Sequence, residues 1–201
     1  MRNFHNKISA MIDKDLKQSG DEKFALTRNR LIEEKVVSYG VKTSEIRKIV
    51  RKYQKKFQEL KAAKDCFEVA SELISNKILD DQMAGIFLLG GCREISQISN
   101  IFVRLERLII DYFDNWAVCD AISSEVTSRL LKDLPEKIEI LYSWAKSDNK
   151  WLRRVALVTV VKLKNKIPEW NVISSRILLF FSKEQEPIVK KAILWLKKEL
   201  D

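Results

Sequence analysis

The sequence predicts an all-α fold built as a solenoid of paired helices, and three observations lead there. Five Gly and three Pro in the whole chain are too few for a β-sandwich or barrel, which spends turn residues every ten or so positions. Apolar residues recur at helical spacing along most of the 201 residues. The last third also repeats. Leu134-Pro135-Glu136 is answered 33 residues later by Ile167-Pro168-Glu169, and Trp151-Leu152-Arg153-Arg154-Val155 is answered 37 residues on by Ile188-Val189-Lys190-Lys191-Ala192. Each unit reads as two helices, with Pro opening the first and two adjacent cations in the first turns of the second. That layout belongs to helical solenoids, in which one unit cannot bury its apolar face without neighbours.

Taken in order, residues 3 to 36 read as two helices broken near Ser19-Gly20, with Phe24, Leu31 and Ile32 among the apolar positions of the second. Gly40 is expected to end a helix in a left-handed conformation, and Thr43 with Ser44 to cap the next, which runs to about Phe57. Further helices are expected at about 64 to 77, 80 to 91, 97 to 113, 115 to 132, 135 to 147, 150 to 163, 168 to 182 and 187 to 200. Gly90-Gly91 reads as a helix stop. The helix from Lys150 to Leu163 is apolar nearly all round, so it should form an inner layer, and Arg154 on it needs an anion or a cleft. No low-complexity stretch or linker divides the chain, which reads as one domain, 1–201.

Composition narrows the partners. Lys and Arg exceed Asp and Glu by nine, and such a chain attracts polyanions, nucleic acid first among them; a basic but merely solvated surface is the competing reading. Cys66, Cys92 and Cys119 fit neither a disulfide framework nor a Cys-x-x-Cys zinc site and suit a reducing cytosol. With no signal core and no apolar run of about 20 residues, the expectation is a cytoplasmic protein without a membrane span. One histidine, His5, near a terminus expected to fray, argues against a Ser-His-Asp triad or a His-ligated metal. No Gly-rich phosphate loop is present. No cofactor and no metal are expected.

Basic stripes and two tryptophans remain as candidates. Arg47, Arg51 and Lys55 lie a turn apart, with Lys48, Lys52 and Lys56 beside them, a ridge that could track phosphates or simply be solvated. In Asp114-Asn115-Trp116-Ala117-Val118-Cys119-Asp120-Ala121-Ile122, Trp116 and Asp120 share one helical face and Val118 and Ile122 the other. If Val118 and Ile122 face the core, an indole beside a carboxylate is displayed elsewhere, as a platform for a sugar or base. The alternative is that Trp116 packs between repeats and Asp120 caps a helix. Trp195 lies at the margin of the apolar stripe of the last helix, where it could line a groove or belong to the core.

Together these segments resemble the AlkD-like family of DNA alkylation repair enzymes, HEAT-like-repeat glycosylases that remove alkylated purines. The resemblance runs through Tyr39-Gly40-Val41-Lys42-Thr43 to Arg47-Lys48, Asp114-Asn115-Trp116 with Asp120, Trp151-Leu152-Arg153-Arg154 with Ala156, and Lys191-Ala192-Ile193 with Trp195. It implies an α-α superhelix of HEAT-like repeats with a concave basic groove for duplex DNA containing alkylated purines; separately, the chain is expected to be a monomer. The catalytic aspartate falls on Asp120, the groove tryptophans on Trp116 and Trp195, and the functional arginine on Arg154 rather than Arg153. Arg153, Lys42, Arg47, Lys48, Arg51, Lys190 and Lys191 are the expected DNA contacts.

Family substrates are N3- and N7-alkylpurines, whose cationic bases leave without protonation, which accounts for the missing histidine. As the N-glycosidic bond lengthens, the Asp120 carboxylate would stabilise positive charge on the deoxyribose and orient water, the two indoles would hold the sugar, and Arg154 would bind a phosphate. Glycosylases generally flip their target base, whereas the family implies recognition along the backbone. Family members commonly continue beyond the position of Trp195 with further helices that complete the DNA clamp, a departure from which a difference in affinity or lesion range is expected. Two rivals stand beside this reading: a non-catalytic DNA-binding helical protein, and a protein-interaction scaffold.

Overall fold

The helices follow the apolar stripes of the sequence. A computed structural model describes residues 2–32, 34–60 and 62–201. Its helices are α1 (Arg2–Gln18), α2 (Glu22–Leu31), α3 (Thr43–Glu59), α4 (Ala63–Ser75), α5 (Leu79–Gly91), α6 (Ile101–Tyr112), α7 (Trp116–Ile122), α8 (Ser128–Asp133), α9 (Ile140–Ala145), α10 (Lys150–Leu163), α11 (Trp170–Leu178) and α12 (Pro187–Leu200). The fold is all-α; among the described residues β-type pairing is limited to an isolated bridge between Val37 and Ile78.

Helices close in sequence are close in space. α4 packs on α5, α1 on α4 and α3 on α5, while α10 packs on α7, α9 and α12. In the segment read as a repeat, α9 packs on α10 and α11 on α12, with α10 against α12 and α9 against α11. Pro187 opens α12 at its first turn, where a missing N–H costs nothing. As its all-round apolar sequence requires, α10 is an inner helix. Eleven of its 14 residues are buried, and it touches α6, α7, α8, α9, α11 and α12.

Several boundaries differ from the sequence reading, each for a local reason. The second helix stops at Leu31 instead of 36 because Ile32 is extended; residue 33 lies outside the described residues. α2 buries none of its residues, and Leu26 and Leu31 are exposed. Gly40 has the expected positive φ of 79° but sits in the connection to α3, not at a helix end. A Cβ there would meet Asp21 O at 1.9 Å, so both backbone conformation and space require glycine. The cap of α3 is Lys42, without a side-chain cap bond, and Thr43 is the first helical residue. Asn100 adopts a left-handed conformation, which delays α6 to Ile101 and leaves a 3-10 turn at Ile95–Gln97. Pro135 opens a 3-10 turn and α9 begins only at Ile140. α11 begins at Trp170 and runs into a 3-10 turn at Leu179–Phe181.

The connection between α2 and α3 is held by one buried carboxylate. Asp80, at the start of α5 and fully buried, accepts from Arg28 Nη1 (2.6 Å), Ser38 Oγ (2.7 Å), Tyr39 N (2.7 Å) and Val41 N (3.0 Å). Four charge-assisted bonds of this kind offset the cost of burying the charge. They fix the Tyr39-Gly40-Val41 segment and, through it, the start of α3. Neighbouring Asp81, also fully buried, accepts from Asn76 (2.8 Å) and Tyr39 Oη (3.4 Å), and its Oδ1 has no partner. Burial, reinforced by the nearby Asp13 carboxylate, pushes Asp81 up to about 7.

His5 does not fray. It is buried on α1, with Nε2 2.7 Å from Asp65 Oδ1 on α4. Among the described residues no group of three or more His, Cys, Asp or Glu is placed to hold a metal ion, and no helix is long and apolar enough to cross a membrane.

Candidate functional site

The site is built from the start of α7 outward. Asn115, fully buried, caps α7 by accepting from Val118 N at 3.2 Å, which makes Trp116 the first helical residue. Val118 and Ile122 are buried in the core, so the opposite face carries Trp116 and Asp120, both partly exposed as the spacing predicts. Asp120 caps no helix: the cap of α7 is Asn115, and that of α8 is Thr127.

Just past Asp120 the expected single helix from 115 to 132 widens into a π-helical turn, Ser123–Thr127. Such a turn frees carbonyl groups, and a run of hydroxyl residues takes them up. Ser123 Oγ donates to Cys119 O (2.7 Å), Ser124 Oγ to Asp120 O (2.8 Å) and Ser128 Oγ to Ser124 O (3.2 Å). Thr127 bonds to Thr159 across the interface with α10 at 2.6 Å. π-turns inside helices occur frequently at functional sites.

Asp120 meets Arg154 of α10 in a two-pronged ion pair. Arg154 Nε is 3.0 Å from Oδ1 and Nη2 is 2.9 Å from Oδ2, while Nη1 donates to the Ile188 carbonyl at the start of α12 (2.7 Å). The anion that Arg154 needed is therefore Asp120. The expected phosphate role for Arg154 does not fit: all three guanidinium nitrogens are engaged inside the protein, and its side chain is 7% exposed against 21% for Asp120. The cation is thus the inner partner and the carboxylate the outer one. Burial raises the Asp120 carboxyl above the ordinary carboxylate value, opposed first by the Arg154 hydrogen bonds and charge and then by Lys162.

Lys162 also connects Trp195 to this group. Its ammonium stands 4.5 Å from the centre of the Trp195 ring, and its charge reaches Asp120. Trp195, partly exposed on α12, donates its Nε1 to Glu199 Oε1 at 3.2 Å. Glu199 is held in turn by Lys164 at 3.1 Å. The sequence reading overlooked Lys162 and Glu199. A signal for Lys162 was present: it lies eight residues, about two turns, after Arg154 on an otherwise apolar helix.

The expected DNA contacts differ in how far their side chains are buried and engaged by the protein. Arg153 is committed: Nε and Nη2 bind Glu184 at 2.7 and 3.1 Å, and Nη1 donates to Ser147 O and Asp148 O, both at 2.9 Å. Its side chain is 15% exposed. Arg47 is shared, bonded to Glu125 at 2.6 Å and stacked 3.9 Å from the centre of the Phe87 ring, yet 40% exposed. Lys42, Lys48 and Arg51 project from α3 and its cap, and Lys190 and Lys191 from α12; all five are exposed. Gly90 lets α5 approach Glu125 closely, since a Cβ would stand 3.1 Å from both Glu125 Cβ and Glu125 O. Together with Gly91, the last residue of α5, it serves close packing as well as the predicted helix stop.

Comparison with known proteins identifies the family of the chain. No curated protein matched the chain. A family model described as DNA alkylation repair enzyme matches residues 12–200, which contain Trp116, Asp120, Arg154, Lys162 and Trp195. The chain therefore belongs to the AlkD-like family of DNA alkylation repair enzymes, and its role lies in the repair of alkylated DNA.

Proposed function

We propose that this protein is a DNA glycosylase that hydrolyses the N-glycosidic bond of cationic N3- and N7-alkylpurines in duplex DNA, with Asp120 as the group that stabilises the departing sugar. The observation that carries this reading is the asymmetry of the Asp120–Arg154 pair. A purely structural tie would bury both partners, whereas here the arginine is the inner member and the carboxylate keeps an exposed edge. Arg154 fixes the direction of that edge through two hydrogen bonds and is a positioning residue.

Positive charge grows on C1′ and the ring oxygen as the purine leaves, and a fixed carboxylate stabilises it without needing a proton donor. Trp116, one turn before Asp120, and Trp195, beneath Lys162, would flank the deoxyribose by their ring faces. Lys42, Arg47, Lys48 and Arg51 on one side and Lys190 and Lys191 on the other would follow the phosphates of a duplex lying in a concave groove of HEAT-like repeats. In this reading residues 1–201 act as one cytoplasmic, monomeric domain without a cofactor.

A second reading rests on a specific observation. Both Asp120 oxygens are engaged, and Arg154 ties α7, α10 and α12 together, as a structural element of a non-catalytic DNA-binding protein would. Incubation of methylated duplex DNA with the protein decides between them. Release of 3- or 7-methylpurine by the wild type and not by Asp120→Asn establishes the glycosylase. Binding without release, by a folded protein, establishes the second reading.

A further inference from the structure

The sequence spacing of Cys66 and Cys92 suggests no disulfide, but the fold brings them together. Cys66 lies on α4 and Cys92 immediately follows α5, and both line a cavity of about 190 Å³ with Gln54, Phe57, Gly91 and Arg93. The Cys66 thiol is 3.7 Å from Leu88 O, one helical turn before Cys92, and the two thiols are near enough to shift one another's ionisation. The two cysteines differ in character. Cys66 is 1% exposed and Cys92 8%. The Cys66 thiol, then the Glu94 backbone and Arg129, lower the Cys92 thiol against the opposing effect of its burial, while Cys92 and burial together hold the Cys66 thiol well up. Cys119, by contrast, is fully buried against Trp151 O with no cysteine beside it.

We infer that Cys66 and Cys92 are a redox-active pair that closes into an intramolecular disulfide on exposure to peroxide. The Cys92 thiolate attacks one peroxide oxygen, the O–O bond breaks, and the departing hydroxide takes up a proton. Cys92 is then a sulfenic acid. Cys66 sulfur attacks the Cys92 sulfur, the S–O bond breaks, and the leaving hydroxide takes the Cys66 proton. One peroxide has been reduced to two waters and two thiols oxidised to one disulfide. The cavity supplies room for the peroxide and for the waters that leave.

The bond would staple α4 to the end of α5, which is also where α3 is attached: Gln54 and Gln58 donate to Phe87 O and Gly91 O at 2.7 and 2.8 Å. It would therefore fix the seat of the helix that carries Arg47, Lys48 and Arg51.

The test uses the full chain, treated with hydrogen peroxide, with thiol counting, intact mass and peptide mapping under non-reducing conditions. Two of the three thiols should disappear with loss of the mass of two hydrogens, and a peptide pair joined through Cys66 and Cys92 should appear and vanish with dithiothreitol. A staple closing this loop should raise the thermal midpoint by roughly 5–10 °C. In Cys66→Ser, oxidation should stop at a sulfenic acid on Cys92 that a dimedone probe traps. Three intact thiols after treatment, a sulfinic Cys92 beside a reduced Cys66, or disulfides only between chains would each overturn the inference. The wild-type peptide map stands even where a variant fails to fold.

Discussion

Asp120→Asn and Arg154→Gln together separate a working carboxylate from a structural tie. The contacts of 3.0 and 2.9 Å put the guanidinium charge inward of the carboxylate, about 4 Å from its centre by ordinary bond geometry. A deoxyribose on the exposed side would stand about 4 Å from the carboxylate and about 8 Å from the guanidinium. At an effective dielectric of about 20, the attraction is then roughly 4 kcal/mol and the opposing repulsion roughly 2 kcal/mol. Neutralising Asp120 removes the full attraction and should cost on the order of a thousandfold in rate. Arg154→Gln removes orientation but also the repulsion, so above neutral pH it should cost less, about tenfold.

The two variants should also differ in their response to pH. Burial already raises Asp120, and Arg154 is the first of the groups opposing that rise. Without the guanidinium the carboxylate protonates more readily, so activity in Arg154→Gln should fail at a higher pH than in the wild type as acid is added. Each variant leaves a buried group without its partner, so the thermal midpoint and DNA affinity are measured first. The assay is single-turnover release of 7-methylguanine from methylated duplex DNA across pH. Equal losses in both folded, DNA-binding variants at every pH would refute the separation of roles, and an unimpaired Asp120→Asn would remove the carboxylate from the chemistry.

Lys48→Gln and Arg51→Gln should each weaken DNA binding and flatten the plot of log affinity against log salt by about 0.9, checked by fluorescence titration. Arg153→Gln should leave that slope unchanged yet lower stability by about 2–4 kcal/mol, because Glu184 loses its partner in a site 7% exposed; chemical denaturation measures it. Asn115→Ala, which deletes the cap that places Trp116 and Asp120, should cost about 1–2 kcal/mol by the same method. Asp81 has an ordinary value of 3.8 and is pushed up to about 7 in the fold. Between those values the folded chain keeps a proton that the unfolded chain releases, so this group makes stability fall as pH rises through the window. Asp81→Asn should therefore be more stable than wild type at pH 8 by about 1–3 kcal/mol, with the difference shrinking towards pH 4. A gap that widened in acid would contradict the assignment.

The fold was legible where burial is a local property. The apolar faces of α3, α10 and α12 follow from spacing along a single helix, and the Trp116/Asp120 face follows from Val118 and Ile122 being buried. What could not be read depended on partners distant in sequence. Asp80-Asp81 at the start of α5 looks like ordinary acid in a first helical turn, yet both are fully buried, because Arg28 and the 38–41 segment come from another part of the chain. The meeting of Cys66 with Cys92 is likewise a product of the α4–α5 packing and leaves no mark in their spacing.

The repeat shows why cations at matching positions meet different surroundings. The same position in successive units carries Arg153-Arg154 and Lys190-Lys191. In the first unit α12 lies against α10, the segment just before α12 brings Glu184 to Arg153, and α12 itself brings the Ile188 carbonyl to Arg154. Both cations are drawn inward. In the second unit Lys190 and Lys191 are exposed. On the covered helix α10, Arg154 is held by Asp120 and the Ile188 carbonyl, whereas Lys48 and Arg51 of α3 are exposed; the same residue type is drawn inward or left at the surface by what packs over its helix.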